Sequence, residues 1–586
     1  MRIDQPRPGT ALAVALEACK RHFVFAAVFS AFLNLLYLTP TLYMLQVYDR
    51  VVPTRGEMTL VFLTIVLLFA LATLALLDNV RSRLLVRASM RLDRILAPRI
   101  IDAILARGSN QREGLSRQTL REFDVLRQTL TGVGALALFD APWTPIYILV
   151  CFLISPALGV FALVGASALL FLAWRNENAT RGALQKANDA ASIAYSSQDY
   201  STASADVVRA LGMRQAMVHR HLQERAVASQ LQAKASFSGG GYMTATRFLR
   251  LALQSMALGL GAYLAIENKI SAGAIFAASI LLARALAPIE QVMGAWRGVV
   301  QARGAYHKVV NLFATAENAR PHTNLPALKG AVEAEHLVVF DPSGQQAIVR
   351  DVSFQVAAGE AVGIVGPSGA GKSTLVRTIA GALGADRGGV RFDGADSRDW
   401  DPEKLAKHIG FLPQDPTLFA GTVKDNIARF SSVLDANPEK IDEEVVKAAQ
   451  LCGAHDMILR LPQGYDTVLQ WGGRGLSAGQ AQRIALARAL FGAPSVLILD
   501  EPNAHLDSEG ESLLVRTLQE LKRTGTTILV VAHRTGVLAA VDKLMVLRDG
   551  RLELYGPRDE VVARLNAPAR HVTAAPPPSN SPSAAA

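Results

Sequence analysis

The sequence predicts a membrane α-helical bundle of about six transmembrane helices, followed by a soluble α/β domain built around a phosphate-binding loop. Half of the 586 residues are hydrophobic, 19% are charged, and the mean hydropathy is +0.23. This mixture fits a membrane part joined to a soluble part better than either alone, and the length exceeds that of one ordinary domain. The apolar stretches end near residue 290, and a G-x-x-x-x-G-K-[ST] pattern begins at Gly366.

Charge and cysteine content argue against two other kinds of protein. The net charge of +10 would suit a nucleic-acid partner, but surplus lysine and arginine on the cytoplasmic loops of a membrane protein also explain it. We favour the second explanation and expect no nucleic acid. Cys19, Cys151 and Cys452 have no paired spacing, so neither a disulfide framework nor a zinc site is indicated.

Six apolar stretches approach the ~20 residues that cross ~30 Å of hydrocarbon, the third and the sixth only if they are extended. They cover residues 23–47, 58–77, 143–154, 157–174, 243–266 and 272–288. Eleven arginines lie between Arg81 and Arg127, whereas the loop after the first span has only Arg50 and Arg55. The arginine-rich side is therefore predicted to be cytoplasmic, and six crossings return the chain to the cytoplasm for its soluble part.

The segments between the spans are predicted to be helical as well. Residues 78–140 and 175–242 are too long for loops and carry apolar residues at intervals of three and four. The second to fifth spans should therefore continue into the cytoplasm. The predicted organisation is a transmembrane domain at 1–310, a linker at 311–330, a soluble domain at 331–565 and a disordered Ala/Pro/Ser-rich tail at 566–586.

The phosphate loop stands between a buried-strand pattern and a helix, which is the context that this motif requires. Its residues are Gly366, Pro367, Ser368, Gly369, Ala370, Gly371, Lys372, Ser373 and Thr374. Backbone N–H groups of such a loop turn towards phosphates at the helix N-terminus. Lys372 is expected to reach the β- and γ-phosphates of a nucleotide, and the Ser373 hydroxyl is expected to bind Mg²⁺.

A second apolar strand, residues 495–499, ends in Asp500 and Glu501. Beside a phosphate loop, Asp500 is placed to hold Mg²⁺ through water and Glu501 to polarise the attacking water. Taken alone, a strand that merely ends in acidic residues at a helix start would be the better interpretation. The phosphate loop upstream favours the functional one.

The segment Leu476-Ser477-Ala478-Gly479-Gln480 resembles the L-S-G-G-Q signature of the ABC transporter family, and the resemblance covers residues 331–565. It implies an ATP-hydrolysing domain of the ABC type. Ser477, Gly479 and Gln480 would bind nucleotide, with Ser477 and Gly479 contacting the γ-phosphate of ATP held by a partner subunit. Ala478 replaces the first glycine of the family pattern.

The same resemblance assigns further positions. Gln414 matches the glutamine that links Mg²⁺ to the membrane domain, and His533 matches the switch histidine. The expected catalytic residues are therefore Glu501, His533, Lys372 and Gln414. The expected metal ligands are Ser373, Gln414 and Asp500. Phe340 occupies the place of the aromatic residue that stacks on adenine, but a core phenylalanine is an equal alternative. Residues 503–507 replace the usual D-loop with one extra residue and a histidine, which leaves communication between sites open.

One membrane part and one ATPase part per chain imply a homodimer with two equivalent sites. Residues 40–53, 139–147 and 279–288, with Trp296, resemble type I protein secretion exporters, in particular the branch that exports metalloproteases, lipases and surface-layer proteins. About twenty residues precede the first span, which is too few for the peptidase-like domain of other branches.

This resemblance implies a multi-pass protein in the inner membrane of a bacterium, with its ATPase domain in the cytoplasm. Its substrate would be an unfolded protein with an uncleaved C-terminal secretion signal. Its partners would be a periplasmic membrane-fusion adaptor and an outer-membrane channel. An exporter of lipids or small hydrophobic molecules is the alternative. A soluble ABC ATPase acting on nucleic acid or ribosomes disagrees with the apolar spans.

Arginines near the spans raise a separate question, because charge at membrane depth is costly. Arg284 lies well inside the sixth span, and we predict that it lines the cytoplasmic half of the transport path. Arg247 and Arg250 lie near the cytoplasmic end of the fifth span. For these two, snorkelling to the membrane surface is the preferred interpretation.

Overall fold

The computed structural model describes residues 10–106, 119–316, 323, 325–434, 437–532 and 534–566, and the chain divides into two compact units. The first is all-helical. Its α-helices are α1 (Thr10–Leu36), α2 (Thr39–Gln46), α3 (Val52–Thr54), α4 (Glu57–Ala106), α5 (Thr119–Thr131), α6 (Val133–Asp140), α7 (Thr144–Ile154), α8 (Pro156–Ala203), α9 (Ala205–Ala210), α10 (Arg214–Ile266) and α11 (Ala272–Ala316). A π-helical turn, Val47–Val51, separates α2 from α3.

Within the described residues, six helical stretches are long and apolar enough to cross a membrane. They are Ala11–Thr54, Glu57–Ala106, Thr119–Ile154, Pro156–Ala203, Arg214–Ile266 and Ala272–Ala314. Each contains one of the six predicted spans, which confirms the predicted number. Because α4, α8 and α10 have 50, 48 and 53 residues, each is about 70–80 Å long, far more than the ~30 Å of hydrocarbon.

The helical interpretation of the long segments between the spans agrees with the structure where it is described; residues 107–118 of the segment 78–140 lie outside the described residues. Residues 175–242 form the ends of α8 and α10 with only α9 and short turns between them. Helix α11 runs beyond residue 310 to Ala316, so the start of the predicted linker is helical. The reason is that Val309, Leu312 and Phe313 remain buried and extend the apolar face of α11. Of the predicted disordered tail, Asn566 is the last residue of a helix that begins at Arg558, and residues 567–586 lie outside the described residues.

A buried polar network joins the first, second and third spans. Arg81 of α4 is 4% exposed and donates hydrogen bonds to Ser30 Oγ at 3.0 Å, Asp140 Oδ1 at 3.0 Å and Asp78 Oδ1 at 2.7 Å. The amide of Asn34 donates to the same Asp140 oxygen at 2.9 Å. Arg81 is therefore a structural residue, although its place in the arginine-rich segment suggested only a cytoplasmic surface charge.

Substitution of Arg81 by methionine is expected to destabilise the membrane unit. The change leaves the Asp140 carboxylate, whose side chain is 15% exposed, without its cation, and breaking a buried pair in this way costs about 3–5 kcal/mol. The measurement is the unfolding temperature of the detergent-purified protein. Arg83→Met, at an exposed position two residues along the same helix, is the matched control. Equal unfolding temperatures for the two variants would contradict the role of the network.

The arginines near the fifth and sixth spans have defined partners. Arg250 Nε lies 2.6 Å from Glu290 Oε2, and Arg247 Nε lies 4.0 Å from Glu290 Oε1. The charge of Arg250 is thus matched by a carboxylate on α11, so snorkelling alone does not describe this residue. The Arg284 guanidinium lies 3.8 Å from the centre of the Tyr37 ring, and its place on a transport path stays a prediction.

The second unit is α/β. Its strands are β1 (Val332–Phe340), β2 (Ala347–Val356), β3 (Ala361–Val365), β4 (Arg387–Phe392), β5 (Ala395–Asp396), β6 (Ile409–Leu412), β7 (Gly421–Thr422), β8 (Val468–Leu469), β9 (Val496–Asp500), β10 (Thr527–Val531), β11 (Lys543–Arg548) and β12 (Arg551–Pro557). Its α-helices are α12 (Lys372–Ile379), α13 (Pro402–His408), α14 (Val423–Ile427), α15 (Pro438–Leu451), α16 (His455–Leu459), α17 (Ala478–Leu490), α18 (Ser508–Arg523), α19 (Thr535–Leu538) and α20 (Arg558–Asn566).

The main sheet has the strand order β12-β11-β3-β10-β9-β6, and only β12 is antiparallel to its neighbour. Alternate residues of β9 enter different cores: Leu497 and Leu499 pack on one face, Val496 and Ile498 on the other. Burial on both faces explains why this strand reads as a continuous apolar run. The carboxyl ends of β3 and β9 lie at one edge of the sheet, which is where ligands bind in such folds.

Candidate nucleotide site

The phosphate loop begins directly after the carboxyl end of β3. Its last three residues, Lys372, Ser373 and Thr374, form the start of α12. Two of its glycines have positive φ and lie against backbone: a Cβ on Gly366 would lie 2.1 Å from Leu547 O, and one on Gly371 would lie 2.9 Å from Ile348 O. Gly371 is also the left-handed N-cap residue of α12. Only glycine permits this tight path, so the loop has the form that the motif predicts.

Lys372 lies folded over its own loop. The ammonium donates to Gly366 O at 2.9 Å and to Pro367 O at 3.0 Å, and the residue is 5% exposed. Burial lowers the pKa of Lys372, while the nearby carboxylates of Glu501 and Asp500 act in the opposite direction. A cation held among backbone carbonyls at a helix start is suited to bind an anion such as a phosphate.

Ser373 and Asp500 face each other at the sheet edge. Ser373 Oγ donates to Asp500 Oδ1 at 3.1 Å, and Asp500 is 1% exposed. Burial raises the pKa of the Asp500 carboxyl, and the hydrogen bond from Ser373 opposes this effect. A hydroxyl and a carboxylate are ligands that suit Mg²⁺, so these two side chains fit the predicted metal set.

Glu501 follows β9 in a left-handed conformation with φ of +50°. Its N–H donates to Val531 O at 3.0 Å, which ties this turn to the end of β10. A non-glycine residue in this region is strained, and such strain concentrates at functional sites. Gln414 Nε2 donates to Glu501 Oε2 at 3.2 Å. The structure thus brings the predicted catalytic residues Gln414 and Glu501 together.

The signature segment forms the start of α17. Ser477 is the exposed N-cap residue: its Oγ accepts from Gln480 N at 3.2 Å, and Gln480 Oε1 accepts from Ser477 N at 2.8 Å. This reciprocal pair is a capping box. The Gln480 side-chain oxygen therefore orders the helix start, and the nucleotide contact expected of Gln480 stays a prediction. Ala478 occupies the first helical position, where alanine is a better helix former than glycine.

The altered D-loop is bonded to the signature helix of the same chain. Gln482 Nε2 donates to Pro502 O at 3.2 Å, and Arg483 donates to Asp507 Oδ1 at 3.1 Å. Asp507 also caps α18 by accepting from Gly510 N at 2.9 Å. The segment after Glu501 is thus linked to the helix that carries Ser477. Arg483 lies three residues after the signature pentapeptide. Its hydrogen bond to Asp507, the last residue of the lengthened loop, could not be predicted from the sequence.

Two of the predicted site residues, Phe340 and His533, are not among the contacts described above. Phe340 ends β1, its N–H donates to Asp386 Oδ2 at 2.9 Å, and its side chain is half-buried. Within the described residues it belongs to neither large core of this unit, which favours the adenine-stacking interpretation over a core phenylalanine. His533 lies outside the described residues, so its role stays a prediction.

A phosphate loop beside a buried aspartate and a strained glutamate, in a chain whose described residues include six helical stretches able to cross a membrane, is typical of an ATP-hydrolysing membrane transporter. The models of two families match: "ABC transporter transmembrane region" over residues 23–287 and "ABC transporter" over residues 349–504. The chain belongs to the ABC transporter family. It hydrolyses ATP and couples hydrolysis to transport.

Curated relatives resemble the chain over nearly its whole length. The "Type I secretion system ATP-binding protein PrsD" of Rhizobium meliloti (strain 1021) is 41% identical, over 95% of each chain. The "Cyclolysin secretion/processing ATP-binding protein CyaB" of Bordetella pertussis (strain Tohama I) is 31% identical, over 90% of this chain and 74% of the relative. The "Alpha-hemolysin translocation ATP-binding protein HlyB" of Escherichia coli is 27% identical, over 94% and 77%.

Among solved structures, a bacterial Atm1-family ABC exporter with ATP bound matches with a TM-score of 0.77 and 23% identity. The match covers 94% of this chain and 97% of that chain. At this identity the likeness shows the fold alone, and it confirms the predicted exporter architecture of a membrane helical bundle followed by an ABC ATPase domain.

Proposed function

We propose that the chain is the ABC component of a type I secretion system and exports unfolded proteins that keep a C-terminal secretion signal. The observation that carries the proposal is the 41% identity to PrsD over 95% of both chains. A relationship of that extent includes the membrane unit as well as the ATPase unit. The inner membrane of a bacterium is the proposed location, with the ATPase unit in the cytoplasm.

The described residues support the hydrolytic half of this proposal. Lys372 would hold the β- and γ-phosphates of ATP, while Ser373 and Asp500 would hold Mg²⁺, which neutralises charge on the phosphates. Gln414 would join this set through the metal. Glu501, placed by the turn after β9 and bonded to Gln414, would orient and polarise the attacking water.

A homodimer would complete each site. Ser477 is exposed at the N-terminus of α17, where free N–H groups favour an anion. In the proposed dimer, Ser477 and Gly479 of one subunit contact the γ-phosphate of ATP held by the phosphate loop of the other. The two sites are then equivalent, and each requires both chains.

The secretion proposal also implies partners outside the lipid bilayer. These are the exported protein, a periplasmic membrane-fusion adaptor and an outer-membrane channel. The alternative, an exporter of lipids or small hydrophobic molecules with the same architecture, is not favoured, because the relatives are named for secretion or for translocation of toxins.

Deletion of this chain in its host is expected to remove specific proteins from the culture medium. The measurement compares the proteins of the medium and the membrane lipids in the deletion strain and its parent. Proteins that disappear should retain their full C-terminal sequence when the parent secretes them. Unchanged medium proteins together with altered lipids would contradict the proposal and support the lipid alternative.

A further inference from the structure

Two half-buried arginines, Arg488 and Arg429, connect the end of the signature helix with the segment that follows Gln414. Arg488 lies in the last turn of α17, and one of its guanidinium nitrogens donates to Thr417 O at 2.8 Å. The same guanidinium lies 5.9 Å from the centre of the Phe419 ring. Arg488 therefore contacts two residues within five positions of Gln414.

Arg429 fixes the same helix end from the other side. Its guanidinium donates to Arg488 O at 3.1 Å, to Ala489 O at 3.2 Å and to Ala406 O at 2.8 Å. The first two carbonyls belong to the last turn of α17, where intrahelical partners are missing, and Ala406 belongs to α13. Arg429 thus ties α17 to the helix that leads into β6, the strand before Gln414.

The surroundings make this connection rigid. A Cβ on Gly410 of β6 would lie 2.3 Å from Ala489 O, so strand and helix end meet at backbone distance. Asn426, fully buried, accepts from Phe419 N at 2.8 Å and donates to Phe419 O at 2.9 Å. Arg429 itself has a φ of +54°, a strained conformation that persists only where surrounding contacts determine it.

Within the part of the chain that the structure describes, no carboxylate forms an ion pair with Arg429 or Arg488. Burial and, as a smaller contribution, the charge of Arg488 together lower the pKa of Arg429 to about 10. Burial also lowers the pKa of Arg488. Both guanidinium groups are bonded to backbone carbonyls in the contacts above. Such contacts fix the position of chain segments rather than neutralise charge.

We propose that Arg488 and Arg429 are positioning residues that make the loop after Gln414 and the signature helix move as one body. Gln414 bonds to Glu501 in its own subunit, whereas Ser477 at the other end of α17 serves the partner's ATP under the proposed function. The two arginines would therefore carry a change at one nucleotide site to the other. The inference rests on the shared dimer site but not on the nature of the exported substrate.

The test uses purified full-length protein and measures ATP hydrolysis per bound nucleotide, so that an unfolded fraction does not enter the rate. Arg488→Met removes the hydrogen bond to Thr417 at similar side-chain length, and Arg488→Lys keeps a charged donor group.

The expected result is a kcat about fivefold or more below wild type for R488M, in the range of typical coupling effects. R488K should fall between the two, and KM should stay within about twofold. Arg516→Met, at an exposed position of α18, is the control with wild-type values.

A wild-type kcat in folded R488M would overturn the proposal, as would a loss for R488K equal to that for R488M. If R488M does not fold, hydrogen exchange of the Glu501→Gln protein with and without Mg-ATP decides. Residues 415–420 and the last turn of α17 should change protection together, and a change in one without the other would overturn the proposal. These measurements involve no exported protein, so a result that contradicts this inference does not bear on the secretion proposal. Likewise, finding that the chain exports something other than proteins does not bear on this inference.

Discussion

The Glu501→Gln protein is expected to bind ATP as the wild type does and to hydrolyse it at least about 100 times more slowly. A positioned general base contributes about 10²–10⁴ to a rate, and glutamine has nearly the same shape but cannot accept the proton. Gln414 Nε2 donates to Glu501 Oε2 at 3.2 Å, and the glutamine oxygen can accept the same bond. The local fold should therefore survive.

The measurements are nucleotide affinity and steady-state ATP hydrolysis of the purified protein. Glu509→Gln makes the same chemical change at an exposed position on α18 and should leave both values unchanged. Hydrolysis at the wild-type rate in E501Q would remove Glu501 from its assigned role. Loss of ATP binding together with hydrolysis would instead indicate a structural role for this residue.

Two variants that are inactive alone are expected to recover activity when they form a mixed dimer. Lys372→Ala removes the cation of the phosphate loop, and Ser477→Asp places a negative charge where the γ-phosphate of the partner's ATP is expected. Aspartate remains a good N-cap residue, so α17 should keep its start. In the mixed dimer, one site combines both defects and the other combines an intact phosphate loop with an intact signature.

The two variants would carry different affinity tags, and mixed dimers would be isolated through both. Hydrolysis above that of either parent dimer is the predicted outcome. A mixed dimer as inactive as its parents would contradict the shared site, because each chain would then depend on its own phosphate loop and its own signature. A mixed dimer of tagged wild-type chains provides the reference rate.

Much of this molecule follows from its sequence, because the informative patterns are local. In lipid, the backbone N–H and C=O groups of a long apolar segment must be hydrogen-bonded within the segment, which a helix achieves. The six spans could therefore be counted from the sequence. The phosphate loop required glycine at Gly366 and Gly371, and both lie where a Cβ would meet backbone. Asp500 and Glu501 could be placed because an apolar strand brings its end to a fixed edge of the sheet.

The rest depends on contacts between residues far apart in the chain. From the sequence, Arg81 is only one of the arginines that orient the chain in the membrane, since no pattern links it to Asp140 or Ser30. The side chain of Gln480 caps its own helix, a local role that the resemblance to the signature did not indicate. Arg429 and Arg488 meet α13 and the loop after Gln414 through backbone carbonyls, and backbone acceptors leave no trace in a sequence.

ATP hydrolysis that depends on Glu501 is proposed to power protein export. The most direct measurement introduces either the wild-type chain or Glu501→Gln into the deletion strain, at equal amounts in the membrane, and quantifies the proteins of the culture medium. The wild-type chain is expected to restore the missing proteins, and E501Q is expected not to restore them. Restoration by E501Q to the wild-type level would contradict this proposal.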